Sequence, residues 1–324
     1  MPEDPAASVT AERLRTQLLS GTPAAAAGDV VRRLLAVQAQ DPRGARLAVR
    51  ARSRGLHAAD VDHAVSEERS LVVSWLNRGT LHLVAAEDFW WLRELTAPTM
   101  VSTNARRLDQ EGVPAADAER AVATIVGALE RDGPLTRAQL REQVAPTGVR
   151  VAGQAMVHLL LLATLRGAIV RGPIVGREQA FVLVRDWLGA PPKSLDTKRF
   201  AREAALAELA VRYLRGHAPA SERDLAKWAG LPVSAARAGL AAIAARLRHR
   251  PDGLLELRSQ PVDGRGGRAD LPGPRLLGSY DPVLHGWVDR GPILGEHTSV
   301  VTSNGLFRPF ALVSGRAVAT WSWS

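Results

Sequence analysis

Between residues 221 and 247 the chain spells helix, tight turn, helix, and this stretch limits its fold more than any other. Ser221 stands at a helix N-cap position, with Asp224 three residues on, and the helix runs to Ala229. Gly230-Leu231-Pro232 forms a turn, and Val233 opens a second helix, VSAARAGLAAIAARL, on or beside which lie Arg237, Arg246 and Arg248. A helical hairpin inside an all-α domain is the plainer alternative. A long helix over 197–216 leads into it, and helix-turn-helix is the favoured reading.

The same plan appears twice upstream. Over 9–112, a short helix is capped at Thr10 and carries Leu14, Leu18 and Leu19 on one face. GDVVRRLLAVQAQ follows as a helix with Asp29 at its N-cap and Asp41-Pro42 as its stop. AADVDHAVSEE is a third helix, and SLVVSWLNRGTLHLV holds two β-rich runs pinched at Arg78-Gly79-Thr80. Over 115–188, a helix at 117–131 leads to a Thr136-capped helix and then to the apolar helix GQAMVHLLLLATLRG. Two β-rich runs then flank Gly172-Pro173. The resulting division is 1–114, 115–194 and 195–258, each a winged helix, with a small sheet or barrel over 259–324 after the linker DGRGGRADLPGP. The fold class is mainly α with β wings.

Composition narrows the function. The 324 residues contain no cysteine, which excludes disulfides, thiolate zinc sites, iron–sulfur clusters and a cysteine nucleophile. Net charge is +9, and 39 of the 42 basic residues are Arg, since Lys193, Lys198 and Lys227 are the only lysines. Arg forks grip phosphate bidentately, so tandem basic helix-turn-helix units predict a concave surface holding duplex DNA. GC-rich coding also produces Arg excess. The acidic start MPEDPAAS is no secretory signal, and AMVHLLLLATLRGAIV is too short and too charged to span a bilayer. These features predict a soluble, cytoplasmic, nucleoid-associated protein with no membrane partner.

Gln38 is the polar residue that calls for explanation. On a helix it shares the apolar stripe of Val31, Leu34 and Leu35. Pro42 ends that helix near Ala39, leaving Gln40 at the cap, free to turn its amide toward Gln38. Two such amides form a neutral site able to hold a water, and a satisfied core Gln is the plainer reading. Trp75, Arg78 and His82 sit on or beside the first wing, where they would wedge between or stack on bases unless Trp75 is simply buried. Asp281, His285, Asp289 and Arg290 crowd SYDPVLHGWVDR without a standard metal-ligand spacing, and a structural ion-pair cluster is the plainer reading than a metal site. No GxSxG, HExxH or Walker motif is present.

VQAQDPR, WLNRGTLHLV, LLGSYDPVLHGWVDR and SGRAVATW, in this order from about residue 10 to 321, resemble the AlkZ-like DNA glycosylases. The resemblance implies three tandem winged helices and a C-terminal β-barrel in a C shape. It implies hydrolysis of the N-glycosidic bond of N7-alkylated purines, including those in interstrand crosslinks, with no metal or cofactor. The family's catalytic signature falls on Gln38-Ala39-Gln40, its glutamine form, which is associated with self-resistance to DNA-alkylating natural products. The chain stops three residues after Trp321, where a further strand or helix is expected. Arg43, Arg46, Trp75, Arg78, His82, Arg237 and Arg290 are the expected DNA contacts. The expected partner is double-stranded DNA carrying alkylated purines, met by a monomeric, monofunctional enzyme, since no lysine is placed by sequence near the glutamines. A winged-helix transcription regulator is the alternative; no separate ligand-binding or dimerisation segment supports it.

Overall fold

The computed structural model describes residues 5–176, 178–191, 198–260 and 271–322. These residues are mainly helical, with small antiparallel sheets. The first segment comprises α1 (Pro5–Thr16), α2 (Ala27–Leu34), β1 (Val37–Gln38), α3 (Pro42–Arg50) and α4 (Ala58–Ser66). The hairpin β2 (Leu71–Trp75) and β3 (Leu81–Ala85) then leads into the long helix α5 (Phe89–Gln110).

Three local expectations change here. Thr10 lies inside α1, and Asp29 lies inside α2, whose N-cap is Ala26. Helix α2 stops four residues before Gln38, because Leu35 adopts a left-handed φ of 65° that no helix tolerates. Asp41-Pro42 is a start signal, not a stop: the Asp41 carboxylate accepts from the Arg43 N–H at 3.0 Å, and Pro42 opens α3.

The second segment contains α6 (Ala115–Asp132), α7 (Arg137–Val144), α8 (Ala155–Leu165), β4 (Ile169–Val175), β5 (Glu178–Leu183) and the short α9 (Val184–Trp187). Thr136 and Gln139 form a reciprocal capping box on α7, as the sequence predicts. The expected turn at Gly172-Pro173 is not a turn. Both residues lie inside β4, where the pairing with β5 shifts register between Arg171 and Ile174. Proline has no N–H to give the ladder, so the strand accommodates it as an irregularity and turns later.

The first two hairpins join into one five-stranded sheet, ordered β1-β3-β2-β4-β5, through the pair Val73↔Arg171. The third segment holds α10 (Lys198–His217), α11 (Glu222–Ala229), α12 (Val233–Ala242) and the two-stranded sheet of β6 (Leu247–His249) and β7 (Leu255–Leu257). Ser221 and Asp224 form a capping box at the helix start expected there, and Gly230 takes the left-handed conformation at the expected turn. Helix α10 is central: Leu209, Ala210, Tyr213 and Leu214 pack into the largest core cluster with Leu14, Phe89, Trp228 and Trp287.

After β8 (Arg275–Leu277) come α13 (Gly291–Leu294), β9 (Phe310–Val313) and β10 (Arg316–Thr320). Among the described residues these strands form an open sheet, β10-β9-β8, and not the expected closed barrel. Three short strands leave β10 and β8 as unpaired edges, so the sheet does not close on itself. The C-terminal segment is locked to the first by a fully buried ion pair. Arg52 donates from Nη2 and Nη1 to Asp281 at 2.7 and 2.9 Å, and from Nη2 to Gln17 at 3.0 Å.

Candidate active site

Strand β1 is two residues long and puts the glutamines together. Val37 pairs with Leu83 and Gln38 with His82, and the Ala39 N–H donates to the Leu81 carbonyl at 2.7 Å. In extended backbone residues i and i+2 share a face, so Gln38 and Gln40 converge without a helix end to turn them. The Gln38 amide Nε2 donates to Gln40 Oε1 at 2.5 Å. Gln38 is buried and Gln40 exposed, so the pair runs from the core to the surface.

Arg78 backs this pair from the β2–β3 turn, at a left-handed φ of 57°. Its Nη2 donates to Gln38 Oε1 at 3.1 Å, and its Nη1 donates to the Trp228 carbonyl of α11. A guanidinium has donors only, so the Gln38 atom facing it is the oxygen and the amide nitrogen faces Gln40. The α11–α12 turn comes so close that a Cβ on Gly230 would lie 2.9 Å from the Arg78 nitrogen. Burial, and secondarily the neighbouring Arg290, lowers the Arg78 guanidinium to about 10, which leaves it charged at neutral pH. Its groups are committed to protein acceptors, so the structure does not present it as a phosphate contact.

His82 lies under the site with its Nδ1 2.9 Å from the Thr80 carbonyl. Burial, and then the charge of Arg78, pushes its pKa down to about 3, so it is neutral. Trp75 and His82 are both turned into the core. Trp75 is 9% exposed, stacks on Phe181 at 6.3 Å and lies under Arg171 at 5.4 Å. His82 is 2% exposed, so both rings are enclosed in the free protein.

The loop that carries the buried Asp281 forms the opposite wall. A Cβ on Gly44 of α3 would meet the Ser279 carbonyl oxygen at 2.3 Å, so the loop lies directly on the start of α3. Tyr280, at a left-handed φ of 58°, sits near enough to Asp41 for that carboxylate to help raise its phenol, after burial. Tyr280, His285 and Phe307 form an aromatic trio, with centroids of 6.3 Å between the first two and 4.2 Å between the last two. Arg290 lies over Phe307 at 5.1 Å and donates to the Leu284 carbonyl at 2.6 Å. His285 is pushed well below its ordinary pKa by burial, then by Arg78, Arg290, His82 and Lys227.

Lys227 corrects one expectation. A lysine does stand beside the site: on α11, within the fields of Arg290 and Arg78, its ammonium donating to the Val288 carbonyl at 3.1 Å. Sequence reading did not single out Tyr280, Phe307 or Lys227, because packing within the folded chain is what brings them to His285, Arg290 and Arg78. The Tyr280-Asp281-Pro282 turn was the available signal. Of the remaining predicted residues, Arg43 is exposed at the start of α3, and Arg46 is ion-paired with Asp62 at 2.7 Å. Arg237 lies on α12, held by Glu222 at 2.7 Å through a two-pronged contact.

The family model for DNA glycosylase AlkZ-like proteins matches residues 31–324. An interstrand DNA cross-link repair glycosylase from Streptomyces sahachiroi is 27% identical over 97% of this chain and 86% of its own length. The solved structure of the Streptomyces sahachiroi DNA glycosylase AlkZ superposes with a TM-score of 0.78 at 25% identity, covering 99% of this chain and 88% of that one. With that match spanning the β2–β3 hairpin, α11, α12 and the Tyr280 loop, the chain belongs to the AlkZ-like DNA glycosylase family.

Proposed function

We propose that this chain is a monofunctional DNA glycosylase that hydrolyses the N-glycosidic bond of N7-alkylated purines, with Gln38 and Gln40 as its catalytic residues. The oriented amide pair, Gln38 Nε2 to Gln40 Oε1 at 2.5 Å, carries the reading. An N7-alkylguanine is already cationic and leaves as a neutral base, so no general acid is required. What the reaction needs is a water placed against the sugar and a polar group to balance oxocarbenium character. Gln40 Oε1 has a second lone pair for that water, and the carbonyl dipole faces developing positive charge. Neither amide is a strong base, so positioning and electrostatics supply the acceleration. Engagement of Lys227 with Val288 agrees with hydrolysis rather than Schiff-base chemistry.

In this reading the three helix–hairpin segments are tandem winged helices, laid along one duplex by a monomer of net charge +9. The name of the Streptomyces relative supports extending the proposed substrates to interstrand crosslinks and the proposed role to their repair; self-protection from alkylating agents is the role proposed beyond that name. A crosslinked purine is tethered to the opposite strand and cannot flip fully, which favours a site that meets it in the groove.

The test is a duplex with one N7-methylguanine and a second with a nitrogen-mustard crosslink, each incubated with the protein and then cut with alkali. Alkali-dependent cleavage of both, without a borohydride-trapped adduct, is expected. Tight binding to one duplex sequence with no base release would contradict the proposal and favour a regulator.

A further inference from the structure

Arg78 was the expected phosphate contact of the first hairpin, yet its guanidinium is spent inside the protein. It bridges two elements that are distant in sequence, donating from Nη1 to the Trp228 carbonyl at the end of α11 and from Nη2 to Gln38 Oε1 at 3.1 Å. The bonds run in one direction: guanidinium to Gln38 oxygen, Gln38 nitrogen to Gln40 oxygen. A glutamine amide alone can rotate by half a turn at little cost, exchanging its oxygen and nitrogen. Reversed, Gln38 would present its oxygen to the Gln40 oxygen, and the pair would repel. A donor-only neighbour removes that alternative, and charge-assisted bonds are the stronger kind.

We infer that Arg78 is a positioning residue for the glutamine pair: braced on Trp228, it fixes the Gln38 amide so that Gln40 Oε1 is held toward the attacking water. The inference rests on the proposed roles of Gln38 and Gln40. The helix-turn-helix thereby becomes part of the active site, because α11 supplies the brace. Gly230 is required for this approach, since a Cβ there would collide with Arg78 backbone 3.1 Å or less away.

The test compares Arg78→Met, Arg78→Lys and Arg78→Ala with the parent in single-turnover release of N7-methylguanine at saturating duplex, alongside duplex affinity over a range of salt. Arg78→Met is expected to lose about 100-fold in rate, the scale of a misplaced reacting group. Its salt dependence of binding should match the parent. Arg78→Lys should recover part of the rate, as one ammonium cannot span both acceptors. Low, non-denaturing guanidinium should rescue Arg78→Ala relative to equal sodium chloride and leave Gln38→Ala unchanged. That rescue separates positioning from misfolding within a single variant. A normal rate for Arg78→Met at saturating duplex, with a binding slope lowered by about one, would show a phosphate contact and overturn the inference. If Gln38→Ala itself turns over normally, the catalytic reading falls first and the positioning role with it; a slow Gln38→Ala beside a normal Arg78→Met overturns the positioning role alone.

Discussion

The titratable groups nearest the amide pair are fixed in charge through the neutral range. His82 is held at about 3 by burial, and Arg78 at about 10. Base release at saturating duplex should therefore be flat between pH 5.5 and 8.5, measured by single-turnover rates across that span; a limb near pH 6.5 would implicate a histidine. Stability behaves differently. His82 and His217 are both buried and lowered to about 3 from 6.5, so the unfolded chain binds protons that the folded one refuses. Their contribution is intact above pH 6.5 and is lost as pH falls below it, by about 1.4 kcal/mol per pH unit for each histidine. Denaturant unfolding at pH 7.5 and 5.0 should show a fall of roughly 4 kcal/mol from these two, with the likewise buried and lowered His285 adding to it, and a smaller fall in a His217→Asn variant. Gln38 as a residue out of place was legible in the sequence. The orientation of its amide was not, because that depends on Arg78, forty residues away, and on Trp228 beyond it.

At the scale of elements, the clearest difference between sequence and structure is the short stretch after Leu34. A helical period makes Gln38 continue the stripe of Val31 and Leu34, and only the left-handed turn at Leu35 converts the same residues into a strand. Apolar stripes do not distinguish these cases, since Val37 is buried in either. Capping boxes and turn residues, by contrast, act locally, and so α7, α11 and the α11–α12 turn were readable directly. Where elements touch backbone to backbone, sequence was silent. Gly239 of α12 lies against α10 so closely that a Cβ would be 2.4 Å from the Leu206 carbonyl oxygen. Gly44 is in the same position against Ser279. Gly44→Ala should push the Tyr280 loop off α3, costing about 1–3 kcal/mol in stability by denaturant unfolding and slowing base release. Gly239→Ala should cost a similar amount and, being remote from the glutamines, leave the rate of the folded fraction unchanged.

Over the whole molecule, the site joins segments far apart in the chain. The first segment gives the glutamines, α11 gives the brace, and the C-terminal segment gives the aromatic wall. The β4–β5 hairpin extends the sheet that holds Gln38, through Val73↔Arg171. The order of segments and their helix–hairpin rhythm were legible because each is a local pattern. The shared sheet and the open C-terminal one were not, because strand pairing between distant segments leaves no periodic trace. The Arg52–Asp281 pair holds this assembly from inside, with both side chains fully buried. Asp281→Ala leaves a buried guanidinium without its counter-charge and should cost about 3–5 kcal/mol by denaturant unfolding.

The most direct measurement is the single-turnover rate of N7-methylguanine release by Gln38→Ala and Gln40→Ala, each at saturating duplex and with its duplex affinity determined in parallel. Each variant should lose orders of magnitude in rate while binding the duplex as the parent does. Near-parental release by both variants would contradict a catalytic role for the pair and move the chemistry elsewhere in the cleft.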